Sequence, residues 1–216
     1  MSVPLNKRKK IVLLQSARKK GLKPFLRQAG LTFSDTFLAR THLIYRARAE
    51  DVLALETPVV EGLAFREAKS WEDLSGPVRE RLMADQDYLT WGDPSWFDLG
   101  WRMWVGEFGD RLATMSWWRS REQADDFFID LPENSELMWQ STSLPEYRGK
   151  SLFNAQRIHL MQWRAREGVR EFYVCCEDFN ITGRRNLPRQ GFEYIGVTRR
   201  SKLTGRRRWR PLAGAS

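Results

Sequence analysis

From Trp139 to Phe153 the chain reads Trp-Gln-Ser-Thr-Ser-Leu-Pro-Glu-Tyr-Arg-Gly-Lys-Ser-Leu-Phe. Glu136 to Ser143 predicts the end of an extended segment, and Pro145 and Gly149 punctuate a turn. Residues from Lys150 to Arg166 are mostly good helix formers without Pro or Gly. A strand, a turn and then a helix leave unpaired backbone amides at the helix start. Those amides and the helix dipole favour an anion, and Arg148 and Lys150 add full positive charges. Phosphate suits such a place, although the same residues could form a solvated turn that is basic by chance.

Working outward, the helix carries an apolar stripe of Ala155, Ile158, Met161 and Ala165, with Phe153, Leu160 and Trp163 elsewhere around it, so it should be largely buried. Gly168 ends it and Glu171 to Cys176 predicts a strand, which demands a parallel pair with a right-handed crossover. Upstream, Val60 to Ala68 predicts a strand. Trp71 to Leu89 predicts a helix, with Ser70 as N-cap and Gly76-Pro77 as a break. Trp101 to Phe108 and Arg111 to Trp118 predict a hairpin across Gly109-Asp110, an order that suggests a type II′ turn. Downstream, Gly183 to Arg189 predicts a short helix, and Phe192 to Thr198 and Arg207 to Pro211 predict two last strands. Residues 1–50, basic with apolar residues at helix-like spacing, predict one or two short helices.

The stretch from Trp139 to Phe192 resembles the GNAT superfamily of N-acetyltransferases. That family's pyrophosphate loop, Arg/Gln-x-x-Gly-x-Gly/Ala after a strand end of the Val-x-Pro-Glu-Tyr type, corresponds to Arg148-Gly149-Lys150-Ser151-Leu152-Phe153. Ser151 and Phe153 stand in place of the two glycines of the pattern. The family also carries Asn at the end of the next strand and Gly-Phe eleven and twelve residues later, matched by Asn180 and Gly191-Phe192. The resemblance implies an α/β (α+β) fold: a GNAT-like mixed sheet of six to seven strands with a β-α-β core. The expected acetyl-CoA-binding domain is residues 56–212, after a basic helical extension in residues 1–55.

It further implies transfer of an acetyl group from acetyl-coenzyme A, bound where two parallel strands splay, to an amine acceptor of unknown identity. By that resemblance the backbone of Thr142, Ser143 and Leu144 pairs with the pantetheine arm. Arg148 and the amides of Gly149, Lys150, Ser151, Leu152 and Phe153 hold the pyrophosphate, and Asn180 hydrogen-bonds the arm near the sulfur. The Tyr that the family commonly uses as general acid, seven residues after the Asn, is Leu187 here. Tyr173 or a water then replaces it, or transfer proceeds without a dedicated acid, or the domain binds coenzyme A without turnover.

An ammonium ion cannot attack a thioester, so the site needs a proton acceptor. Glu136, on the strand leading to the loop, is the first candidate and Glu107, at the hairpin end, the second; each could equally be a strand-end carboxylate. His42 and His159 lack the neighbours of a triad or a metal site. Arg184 and Arg185 either reach the nucleotide phosphates or are surface charge. Cys175 and Cys176, adjacent on a predicted strand, should face opposite sides and form neither a mutual disulfide nor a metal site.

The net charge of +9 is unevenly placed. Residues 1–50 hold 12 Lys/Arg against 2 acids and residues 184–210 hold 10 against 1, leaving the rest at minus 10. An acidic middle hints at a cationic acceptor such as a polyamine, an aminoglycoside or a lysine side chain. Basic ends make nucleic acid a secondary partner class, which brings in an RNA-associated aminoacyl or acyl transferase as an alternative. No apolar run reaches the length of a membrane span and the start has too short a greasy core for a secretory signal, so the expected address is cytoplasmic. A homodimer is left open.

Overall fold

The computed structural model describes residues 39–84 and 92–212, with Leu26, Ala29, Gly30 and Phe33. The elements are β1 (Ala39–Arg48), α1 (Ala49–Leu53), β2 (Leu63–Ala68), α2 (Gly76–Ala84), β3 (Arg102–Phe108), β4 (Arg111–Ser120), β5 (Ser135–Ser143), α3 (Leu152–Arg166), β6 (Glu171–Glu177), α4 (Ile181–Asn186), β7 (Glu193–Ser201) and β8 (Arg207–Pro211). The hydrogen-bonded strand order is β2-β3-β4-β5-β6-β1-β7-β8. Two compact units interleave in sequence. The larger holds residues 46–174 and 187–193; the smaller holds the chain up to Tyr45, residues 175–186 and residues 194–216.

In the larger unit β2, β3, β4 and β5 pair antiparallel, and β5 then pairs parallel with β6, from Ser135↔Glu171 to Met138↔Val174. The two sheet faces follow from strand alternation. Ala68, Met103, Val105, Leu112, Met115 and Trp117 point to one face, where they meet Val78 and Leu82 of α2 and the aromatics Phe97 and Trp101. Trp96, Trp101 and Phe97 lie with ring centroids 5.4, 6.4 and 4.7 Å from that of Trp117. Each such buried side chain contributes about 1.5–3 kcal/mol relative to exposure.

The opposite face lies under α3, with Trp104 edge-on to Trp163 at 5.2 Å and Gln156 Nε2 donating to the Trp104 carbonyl at 3.1 Å. The sequence expectation that α3 is apolar on more than one side and largely buried holds: Leu152, Ala155, Ile158, Leu160 and Met161 are buried.

Three expectations are corrected. Residues 39–48, expected in a helical extension, form β1, so the described residues hold eight strands, one more than the upper bound expected, in the mixed sheet the sequence predicts. The buried positions Ile44, Tyr45 and Ala47 do not alternate cleanly, which hides the strand from a period-two reading. Most of residues 1–38 lie outside the described residues. Gly76-Pro77 does not break a helix but opens one: α2 starts there, where a missing N–H costs nothing and the proline ring presets φ. Ser70 and Asp73 instead close a local turn, Asp73 Oδ2 accepting from the amides of Lys69 and Ser70 at 2.7 and 2.9 Å.

In the hairpin, Gly109 has φ +58° and Asp110 is not at positive φ, as a type II′ turn requires. In the smaller unit Asn180 caps α4, its Oδ1 accepting from the Gly183 amide at 3.0 Å. Here β7 and β8 pair antiparallel, from Gly196↔Pro211 to Arg200↔Arg207.

Candidate active site

The loop between β5 and α3 begins with Leu144, fully buried, whose amide donates to the Ala113 carbonyl at 2.9 Å. A single 3-10 turn over Pro145–Tyr147 follows. Gly149 then takes φ +82° and Ser151 takes φ +57°, ψ 12°, the left-handed region. Two left-handed residues in three turn the chain sharply into α3, whose first bonds run from Asn154 and Ala155 to the Ser151 carbonyl at 2.9 and 3.1 Å. Among the described residues no acceptor takes the amides of Gly149, Lys150, Ser151, Leu152 or Phe153. Five open donors at the mouth of a fifteen-residue helix are an arrangement that favours an anion.

The flanking charges are in place. Arg148, Gly149, Lys150 and Ser151 are exposed. Lys150 Nζ sits 5.5 Å from the Tyr147 ring centroid, and Arg148 Nε donates to the Ser143 carbonyl at 3.2 Å. Ser151 explains why the family pattern has glycine at this position: the backbone demands positive φ, and a serine there costs about 1–2 kcal/mol. Phe153, half-buried on the first turn of α3, carries the Arg157 guanidinium 4.3 Å from its ring centroid. Arg157 is itself buried and donates to Gln190 Oε1 at 2.6 Å.

Past Met138 the strand β5 leaves its ladder with β6 and runs on to Ser143. Gln140 adopts φ +42° there. Met115 faces Thr142 while Trp117 faces Trp139, so β5 spends one extra residue against Ser116, a β-bulge. Ser141 Oγ lies 2.9 Å from Ser116 Oγ.

The expected catalytic groups stand elsewhere. Glu136 is almost fully buried at the start of β5, seven residues and on the order of 20 Å of strand before Ser143. Its Oε1 accepts from Arg102 Nη2 at 2.6 Å and from Arg164 Nε and Nη2 at 2.9 and 2.5 Å. The carboxylate expected as base is thus gripped by two guanidiniums and sealed from solvent, an internal ion pair in this structure. Glu107 is in a similar state: Arg66 holds both its oxygens, at 3.0 and 3.2 Å.

Leu187, at the position of the family Tyr, is buried. Tyr173 is buried on β6 and donates to Glu171 Oε2 at 2.5 Å. Burial, then the Glu171 hydrogen bond and charge, push its phenol well above the usual range and keep it protonated. Asn180, in the smaller unit, uses its carbonyl oxygen as a cap, and Arg184 donates to the Asp178 carbonyl at 3.0 Å. Arg185 is exposed. The His159 ring lies 4.9 Å from Phe65; partial desolvation against its neighbours, then the Arg166 charge, hold it below its usual pKa. Cys175 and Cys176 are both thiols, joined in no disulfide among the described residues. The signals missed in the sequence were the Asn180 cap before a short helix and the bulge at Gln140, the second of which leaves no mark in residue type.

The architecture is that of the GNAT N-acetyltransferases. An acetyltransferase of the GNAT family from Colwellia psychrerythraea superposes with a TM-score of 0.51 at 12% identity, over 87% of this chain and 69% of that one. A GCN5-related N-acetyltransferase-like protein from Streptococcus suis gives 0.51 at 11% identity, over 91% and 74%. A Drosophila protein solved by a structural genomics consortium gives 0.54 at 14% identity over 88% of this chain, which spans 58% of that protein's length. No family model and no curated protein matches the sequence. No helix among the described residues is long and apolar enough to cross a membrane.

Proposed function

We propose that the protein transfers an acetyl group from acetyl-coenzyme A to an amine, with residues 142–153 holding the nucleotide and pantetheine end of the donor. The observation that supports it is the run of five open amides from Gly149 to Phe153 in front of α3, on a GNAT-type sheet. These would take the pyrophosphate, with Arg148 and Lys150 as counter-charges. Thr142 and Ser143 would offer main-chain groups to the pantetheine arm, and Leu144, whose amide is held by Ala113 and whose carbonyl accepts from Tyr147, would fix the end of that strand. The Ser143 carbonyl becomes available to it only if Arg148 turns from that carbonyl toward the phosphates.

With Glu136 and Glu107 locked by arginines, the acceptor nitrogen loses its proton to solvent before it attacks. With Leu187 buried, the departing sulfur takes a proton from water. The chain's contribution is then positioning, which supplies about 7–11 kcal/mol in favourable cases. The acidic middle of the sequence favours a cationic acceptor.

Calorimetry with acetyl-coenzyme A, followed by thiol release against a panel of a polyamine, an aminoglycoside and a lysine peptide, tests this. Absence of coenzyme A binding by folded protein overturns it. The buried Leu187 favours a second reading, a coenzyme A-binding module without turnover; binding with no thiol release across the panel selects that one.

A further inference from the structure

The sequence from Tyr194 to Ser216 contains seven Lys/Arg and no Asp or Glu. Strand pairing arranges these cations in an unusual way. Arg199 lies directly opposite Arg208, and Arg200 opposite Arg207. Like charges facing each other across an antiparallel pair destabilise it. All four side chains are exposed, as is Arg210, and among the described residues no carboxylate pairs with Arg199, Arg200, Arg208 or Arg210. Alternation puts Arg199, Arg208 and Arg210 on one face of the ribbon and Arg200 and Arg207 on the other, the second pair beside half-buried Trp209. Trp209 packs over Gly196, where a Cβ would collide with its ring, so the indole is braced in place.

We propose that the β7–β8 ribbon binds single-stranded nucleic acid. The proposal stands apart from acyl transfer and needs none of residues 142–153. Alternate strand residues lie about 6.8 Å apart and cross-strand neighbours about 5 Å, spacings on the scale of successive phosphates in an extended strand. Repulsion between the paired arginines is relieved when phosphates enter between them, and a braced indole beside two arginines is the arrangement on which an unpaired base stacks. Phosphate charge supplies affinity through released counterions, and the indole supplies the preference for unstacked bases over a duplex.

The test is fluorescence anisotropy of the full chain with a labelled single-stranded RNA of about 12 nucleotides across a salt series, with duplex DNA and phosphatidylserine vesicles as competing arms. Running along the outer edge of β8, the last strand of the order, the nucleic acid meets arginines from both faces; with about five phosphates neutralised, log K should fall against log salt with a slope near −3.5. R199Q/R208Q/R210Q should weaken binding at least tenfold at low salt and flatten the slope by about 2. R199K/R208K/R210K should restore the slope, and W209A should weaken binding several-fold at unchanged slope. Circular dichroism and melting temperature identify any variant that fails to fold, and the lysine variant then carries the comparison. No RNA binding, a slope unaffected by the glutamine substitutions, or tighter binding of duplex or vesicles each overturns the proposal.

Discussion

The guanidinium of Arg164 closes on Oε1 of Glu136 with two nitrogens, at 2.9 and 2.5 Å, tying the last turn of α3 to the first residues of β5. Arg102, on β3, holds the same oxygen. Three elements of the larger unit therefore meet on one buried atom. Glu136→Gln should destabilise the fold by about 3–5 kcal/mol, the cost of stranding buried partners. If the residue were the base, kcat would collapse by orders of magnitude at temperatures where the variant is folded. The expected outcome is a lowered urea midpoint with kcat changed only a few-fold.

Ser151→Gly should stabilise the protein by about 1 kcal/mol, because glycine carries no penalty at φ +57°. Coenzyme A affinity should hold or improve, since the amides keep their directions. Ser151→Val should do the reverse in both respects. Chemical denaturation and calorimetry on the three proteins check this.

A Cβ at Gly106 would overlap Thr114 Oγ1 and lie 3.3 Å from Phe65, in a part of the sheet with no space. Gly106→Ala should cost about 1–3 kcal/mol as overpacking. Adding Thr114→Ala removes the obstacle, so the double variant should recover much of that loss. Additive single effects in a double-mutant cycle would contradict the packing account.

Much of this fold was legible because its signals are local. Gly109-Asp110 announces a tight turn wherever the sequence puts it, and Gly149 before a Pro-free run announces the entry to α3. Glu136 was not legible in the same way. Its partners come from 34 and 28 residues away, so a carboxylate beside a loop in sequence could not be told from a carboxylate buried at the far end of the strand. Strand β1 was missed because its arginines suggested a solvated extension while Ile44 and Tyr45 are both covered. Asn180 is matched to the family position by spacing alone, and its capping bond to Gly183 depends on a helix too short to show periodicity.

If solvent takes the acceptor's proton, kcat/KM for an amine should rise tenfold per pH unit up to that amine's own pKa, with no earlier plateau. A plateau at the same pH for amines of different basicity would reveal a protein base. Two amines of separated pKa, followed by thiol release, distinguish the cases.

Tyr173 has its phenol pKa raised by burial and by Glu171. A group held above its unfolded value of about 10 contributes stability that is fully present below that pH and is lost as pH rises beyond it. The wild type should therefore lose stability above pH 10 more steeply than Tyr173→Phe, and the difference in 295 nm absorbance should show one tyrosine that ionises only on unfolding.

The extra residue at Gln140 also resets the phase of β5. Leu137 and Trp139 share a face with Thr142 and Leu144, while Met138 shares the other with Ser141 and Ser143. A saturation scan along this strand should thus show tolerance that tracks parity in one sense before Gln140 and in the opposite sense after it. Deleting that single residue would restore strict alternation with every side chain still on its present face, Ser141 and Ser143 with Met138, and Thr142 and Leu144 with Trp139, so the deletion should be better tolerated than one at Trp139 or Ser141.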